Sequence, residues 1–205
     1  MYKKSAEQLV AALRRRRFGA QFCATVQEAK EAVLALIPEG ASVGWGGSET
    51  VNALGVKQTL REKGQPLFDR DSAPTREAQV EAMYASQLAD VFLMSSNAIT
   101  EDGCLVNVDG LGYRVSALIF GPKKVIVVAG MNKVTADLES AISRVRHYAA
   151  PMNAQRFPGE SPCRRTGRCA DCVSPDCICT NLVVTRLSRV EGRIHVILVG
   201  EDLGM

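Results

Sequence analysis

Ala41-Ser-Val-Gly-Trp-Gly-Gly-Ser-Glu-Thr50 reads as a strand running straight into a glycine loop and a new helix. Ala41 to Trp45 supplies the strand, Gly44 to Ser48 the loop, and Glu49 the helix start. Strand, glycine loop and helix in succession form the local signature of an α/β unit. Upstream, Ser5 to Arg17 predicts a helix, because Leu9, Val10, Leu13 and Phe18 have helical spacing and Gly19 supplies a stop. The arginines 14–17 read as the solvated, dipole-compensating end of that helix rather than as a nucleic-acid contact. Thr25-Val-Gln-Glu28 is a capping box that starts a second helix reaching about Ile37.

Downstream, Lys57 to Lys63 predicts a helix and Pro66 to Phe68 a short strand. Pro74 sits at a first helical turn, opening a helix through about Gln87. Asp90 to Met94 predicts a buried strand and Cys104 to Val108 another; Val115 to Phe120 is apolar and fits a strand or a helix, with helix the preferred reading. Lys-Val-Ile-Val-Val-Ala, residues 124–129, is the clearest strand of the parallel, doubly buried kind. Thr135 to about Tyr148 predicts an amphipathic helix with Leu138, Ile142 and Val145 inward. Asn181 to Arg186 and Arg193 to Val199 close the chain as two strands. Helices alternating with buried strands predict one α/β domain over residues 1–205, an open, mostly parallel sheet with helices on both faces.

Composition bounds the function. The chain has 205 residues, enough to bury roughly 70% of its unfolded surface without disulfide staples. A net charge of +3 is too small to mark a nucleic-acid binder, and 5% aromatic residues argue against base stacking. No apolar run approaches the roughly 20 residues that span a bilayer. The N-terminus does not read as a secretory signal, so a cytoplasmic protein with no membrane partner is expected. Seven cysteines, an odd count, argue against a disulfide framework.

Three constellations carry candidate chemistry. The first is Val43 to Thr50, where Gly44, Gly46 and Gly47 let backbone N–H groups approach an anion and Ser48, Glu49 and Thr50 open the helix. Its GxGG spacing is not the dinucleotide fingerprint, and no Walker lysine follows. A tight turn with no ligand is the alternative. The second is the polar stretch holding Asn97, Thr100, Glu101, Asp102, Asn107, Asp109 and Arg114, whose first part, residues 95–103, reads as a polar loop with one hydrophobic break at Ala98-Ile99. Loops at the carboxyl ends of parallel strands converge on one crevice, and Glu101 or Asp102 would be base or nucleophile there. Ordinary turn chemistry is again the alternative, since Asp-Gly occurs twice.

The third runs from Cys163 to Thr180, with spacing C-x5-C-x2-C-x4-C-x-C. Cys169 and Cys172 make the usual half of a tetrahedral zinc or an iron–sulfur site, and the spacing does not choose between them. Arg164, Arg165 and Arg168 are expected to lower the thiol pKa values. Unligated thiols or a regulatory disulfide are the other readings. With five cysteines for four positions, Cys177 is the expected spare, leaving Cys163, Cys169, Cys172 and Cys179. His147 and His195 receive no role, which disfavours a histidine-based hydrolase.

The motifs VGWGGSET (43–50), SSNAITEDGCLVNVDGLGYRV (95–115), FGPKKVIVVAGMNKV (120–134), SPCRRTGRCADCVSPDCICT (161–180) and GRIHVILVGEDLG (192–204) together resemble the lactate-utilization (LUD) domain family. The resemblance covers most of the chain. It implies a fold similar to the sugar-phosphate isomerase and coenzyme A transferase superfamily. It also implies a role near bacterial oxidation of lactate or a related organic acid, beside iron–sulfur partner subunits. A small anionic substrate or a thioester is the implied ligand, and a homo-oligomer the implied assembly. By the resemblance Asn132 and Lys133 join the crevice, and Glu101 is the nearest equivalent of a thioester-forming glutamate. Cys163, Cys169, Cys172 and Cys179 match the family's four. The chain departs from the family at Tyr113, Cys177 and Thr180. The whole reading requires Gly46 and Glu101 to share one pocket. Three functions follow: an anion-binding accessory subunit, a non-catalytic metal or cluster module docking an electron-transfer partner, or an enzyme of the transferase or isomerase kind.

Overall fold

A computed structural model describes residues 2–205. In chain order it begins α1 (Lys3–Arg15), β1 (Gly19–Cys23), α2 (Val26–Ala35), β2 (Val43–Trp45), α3 (Glu49–Ala53), α4 (Val56–Glu62), β3 (Leu67–Phe68) and α5 (Arg76–Ala85). It continues β4 (Val91–Met94), β5 (Ala98–Thr100), β6 (Leu105–Asp109), α6 (Tyr113–Ile119), β7 (Lys124–Gly130), β8 (Val134–Thr135) and α7 (Leu138–Arg144). It ends α8 (Ala150–Ala154), α9 (Pro162–Thr166), β9 (Asn181–Thr185) and β10 (Ile194–Val199). No helix is long and apolar enough to cross a membrane among the described residues.

Six strands form one sheet in the order β1-β10-β7-β4-β2-β3, every pair parallel. The α/β expectation therefore stands. Strand β7 shows why: Val125 and Val127 join the core cluster containing Leu9 and Leu13 of α1, whereas Ile126 and Val128 join the one containing Val33 of α2 and Leu60 of α4. A strand covered on both faces needs an unbroken apolar run, because alternate side chains enter opposite layers.

The other strands do not extend this sheet. β8, β5, β6 and β9 form a second sheet, antiparallel at β5–β6 and β6–β9. Its third core cluster packs Val106 and Val108 against Ala141 and Val145. Three expectations are corrected here. Ala98-Ile99 is a strand rather than a hydrophobic break in a loop, since both side chains are fully buried. Gly19 opens the edge strand β1 rather than closing a helix; α1 stops earlier, with Arg17 at φ 62°. Leu138 is 42% exposed, and only Val145 and part of Ile142 face inward. Other forecasts match: the Thr25 hydroxyl accepts from Glu28 N, and the Glu28 carboxylate accepts from Ala24 N.

Candidate functional site

The carboxyl ends of β2, β4, β7 and β10 are neighbours in the parallel sheet, so their following segments meet. Gly46 N, after β2, donates to Leu93 O of β4 (3.1 Å). Lys133, after β7, donates to Thr50 Oγ1 (2.8 Å) and to Ser95 Oγ (3.0 Å), which follow β2 and β4. The tail after β10 folds over the same point: Thr50 Oγ1 donates to Leu203 O (3.3 Å). Between them lies a cleft with a cavity volume of about 70 Å³, lined among others by Gly47, Ser48, Glu49, Asn97, Arg114 and Arg156.

The glycines divide by purpose. A Cβ on Gly44 would lie 2.5 Å from the Ser86 Cβ, so this glycine serves packing. A Cβ on Gly46 would lie 2.9 Å from the Arg114 Cδ, so this one lets the arginine stem pass. Gly47 has open space where a Cβ would stand and lines the cleft. Among the described residues the N–H groups of Gly47, Ser48 and Glu49 have no acceptor within the protein. The Ser48 hydroxyl accepts from Val51 N. α3 is only five residues long, so the expected dipole contribution is small.

Arg114 organises one wall. Its guanidinium donates to Ser95 O (3.0 Å), Asn107 Oδ1 (2.6 Å), Asn97 Oδ1 (3.0 Å) and Val108 O (2.6 Å). The Asp109 carboxylate accepts from Gly112 N (2.8 Å) and Arg114 N (2.9 Å) at the start of α6. Asn97, Asn107, Asp109 and Arg114 therefore come together as expected, but as a self-satisfied network. Only the edges of Asn97 and Arg114 reach the cleft. Asn132 is also engaged: its Oδ1 accepts from Leu203 N (3.2 Å), which fixes the tail.

Lys133 differs. It is 4% exposed and has no carboxylate within 4.0 Å among the described residues. Burial, with Arg144 and Arg114 nearby, pushes its pKa down to about 7. Across the cleft Arg156 pairs with Glu49. A Cβ on Gly204 would lie 2.6 Å from Thr50 Oγ1 and 3.2 Å from Lys133 Nζ, so only glycine fits there.

Sequence reasoning missed Ser95, Ser96, Arg156 and Gly204. The serines were findable, because they follow a buried strand directly. Arg156 lies in no motif, and Gly204 acts only through folding.

Glu101, Thr100 and Asp102 do not join the cleft. The turn after β5 belongs to the second sheet and faces α1. Exposed Glu101 lines another hollow with Ser5, Gln8, Arg15 and Val134. The Thr100 hydroxyl donates to Asp102 and accepts from Cys104 N (2.8 Å), and Asp102 pairs with Arg16. These residues do turn chemistry. Gly46 and Glu101 thus share no pocket: the crevice expected to join the glycine loop to the Glu101 turn does not form, and the functional reading that required it falls together with the thioester-forming role, leaving only the smaller cleft around Gly47 and Lys133.

The cysteine segment gathers Cys163, Cys169, Cys172, Cys177 and Cys179 around one hollow against Val108 and Leu182. Cys177 and Cys179 lie 3.3 Å apart, so Cys177 is not set aside as a spare. The arginines do not lower Cys179; burial first, then the neighbouring sulfurs, push it up to about 12. Among the described residues no three His, Cys, Asp or Glu side chains stand together as a set that could hold a metal ion.

The chain matches a solved DUF162 family protein from Deinococcus radiodurans at 15% identity and TM-score 0.57, over 97% of this chain and 98% of that one. eIF2B beta from Chaetomium thermophilum matches at 15% identity and TM-score 0.35, over 56% of this chain and 43% of that one. The first likeness bears on fold alone. No curated protein matches. The LUD domain family model matches residues 6–199, and the chain belongs to the LUD domain family.

Proposed function

We propose that this LUD-domain chain binds a small organic anion in the cleft between the ends of β2, β4, β7 and β10, as an accessory subunit in oxidation of lactate or a related acid. The observation that carries the reading is Lys133: a buried amine without a carboxylate partner, beside unpaired amides of Gly47 and Ser48. Such a site gains from an incoming anion, which supplies the missing counter-charge. Size selects among anions. A water needs about 10–15 Å³ of such space, so 70 Å³ holds the few heavy atoms of a ligand's anionic end, with the rest of a larger ligand left toward the open mouth of the cleft. A short carboxylic acid fits, and of a coenzyme A thioester only the acyl end would enter.

Thermal unfolding with lactate, pyruvate, acyl-coenzyme A and sugar phosphates tests this. A ligand at a hundred times its Kd adds about 2.7 kcal/mol. For a chain this long that is a Tm rise of roughly 5–10 °C. A rise with lactate or pyruvate is expected; no rise with any of the four overturns the reading.

A second reading rests on the gathering of five thiols around one hollow. There the segment would bind zinc or an iron–sulfur cluster through Cys163, Cys169, Cys172 and Cys179 or Cys177 and dock an iron–sulfur partner subunit, which requires the thiols to draw closer together, since no three of them form a ligand set in this arrangement. Elemental analysis and a visible spectrum of anaerobically purified protein decide it. Brown colour means a cluster, one colourless zinc a structural site, and absence of both removes the module. The odd number of free thiols accords with the cytoplasm. Leu88 and Phe120, 85% and 87% exposed, favour the expected homo-oligomer, which light scattering tests.

A further inference from the structure

We propose that Lys133 is a covalent catalyst: its amine captures the carbonyl of a small 2-oxo acid as an imine, with the acid's carboxylate held by the amides of Gly47 and Ser48. This rests on the anion-cleft reading and adds a reaction to it.

Three observations carry it. First, the nitrogen has a defined geometry. Thr50 Oγ1 and Ser95 Oγ each accept one of its hydrogens, at 2.8 and 3.0 Å. Both hydroxyl protons point elsewhere, to Leu203 O and Ser96 O. A neutral amine is therefore fixed by two hydrogen bonds, and its lone pair occupies the position left over. Second, the charged groups around it oppose an ammonium. Arg114 and Arg144 are cationic, and Glu49, a carboxylate that lines the cleft, is already paired with Arg156. A desolvated lysine among cations is held in its nucleophilic form near neutral pH. Third, the cavity has room for a three- or four-carbon acid.

The step balances without an oxidant, a reductant or a co-reactant. The nitrogen lone pair forms a C–N bond while the carbonyl π pair moves to oxygen. A proton passes from nitrogen to that oxygen. A second proton from solvent converts the hydroxyl to water, which leaves as the C=N bond forms. Neutral amine, ketone and one proton become iminium and water.

The experiment is reductive trapping. The full-length chain is incubated near pH 7 with pyruvate or 2-oxobutyrate and sodium cyanoborohydride, and peptide mapping then ranks adducts on the eight lysines. With its pKa pushed down to about 7, the Lys133 amine is free of its extra proton near neutral pH far more often than an ordinary lysine, which is unprotonated on the order of one time in a thousand or fewer. The expected result is an adduct on Lys133 forming at least about tenfold faster than on any other lysine. It is expected to vanish in both Lys133→Met and Lys133→Gln, whose unliganded melting curves verify folding. Even labelling of all lysines overturns the proposal. So does absence of a Lys133 adduct while lactate still raises the Tm, an outcome that leaves anion binding intact. If neither acid traps and no acid shifts the Tm, the imine and the anion cleft fall together.

Discussion

Two lysines in this molecule are buried, and they are buried in opposite ways. Lys57, in α4, is 7% exposed and donates to Asp71 Oδ2 (2.6 Å) and Asn52 Oδ1 (2.8 Å). It also lies 5.2 Å from the Trp45 ring centre. Burial alone would raise the Asp71 pKa, but hydrogen bonds from Lys57 and Trp45 outweigh it and the carboxyl sits below its usual range. That site is closed: each charge has its partner. Lys133 is buried as deeply, yet its neighbours are two hydroxyls and two arginines. Burial by itself says nothing about function. The lesson lies in which buried charge is left without its complement.

The comparison can be broken most severely at Lys133. Lys133→Met should abolish the ligand-induced Tm rise, a loss of about 2.7 kcal/mol at a hundredfold excess over Kd. The unliganded variant should melt no lower than wild type, because a costly buried cation has gone.

Lys57→Met should do the reverse. It removes the strongest partner of Asp71, which keeps Trp45 Nε1 (2.9 Å) and Arg70 (3.7 Å) and is 39% exposed, so the penalty is softened. A loss of about 1–3 kcal/mol by denaturant unfolding is expected, with the ligand-induced rise retained. If Lys57→Met removes ligand binding while Lys133→Met leaves it, the contrast is inverted.

The pH dependence of stability sharpens the contrast further. Lys133 has a folded pKa of about 7, below its ordinary value. Below pH 7 both states are protonated and the full penalty applies. As pH rises above about 7 the folded state gives up its proton while the unfolded state keeps it, so stability rises with pH until the unfolded lysine also titrates. The slope from this group approaches about 1.4 kcal/mol per pH unit. Subtracting the Lys133→Met profile from that of wild type should isolate it; a flat difference between pH 7 and 9 contradicts the assignment.

The smallest effect belongs to the residue that sequence favoured. Glu101→Gln, on the α1 side, should change stability by no more than about 0.5 kcal/mol and leave the ligand response untouched. Loss of binding in this variant would restore Glu101 to the site.

The contrast also marks what was legible beforehand. Strand β7 and the Ala41–Thr50 unit announced a parallel sheet because apolar runs and glycine punctuation are local properties. The carboxyl-end rule led from those strands to the loop around Gly47 and, through the family resemblance, to Lys133. Glu101 was misplaced for a physical reason. In sequence Ala98 and Ile99 stand between polar residues as a break in a loop, which places the following turn in the main crevice. As buried residues of β5 they pair with β6 and carry the turn to α1. Gly204 and Arg156 gave no signal, since their roles arise only when distant segments close over one another. The cysteine spacing announced a cluster of thiols, and the fold does gather them, but spacing carries no information on ligand angles.

Calorimetric titration of pyruvate into wild-type protein and into Lys133→Met is the most direct measurement. Saturable binding with one site per chain in the wild type, lost in the variant while its melting temperature is kept, is the expected result. Equal affinity in both proteins, or no heat in either, would show that the cleft at Lys133 does not hold a small acid.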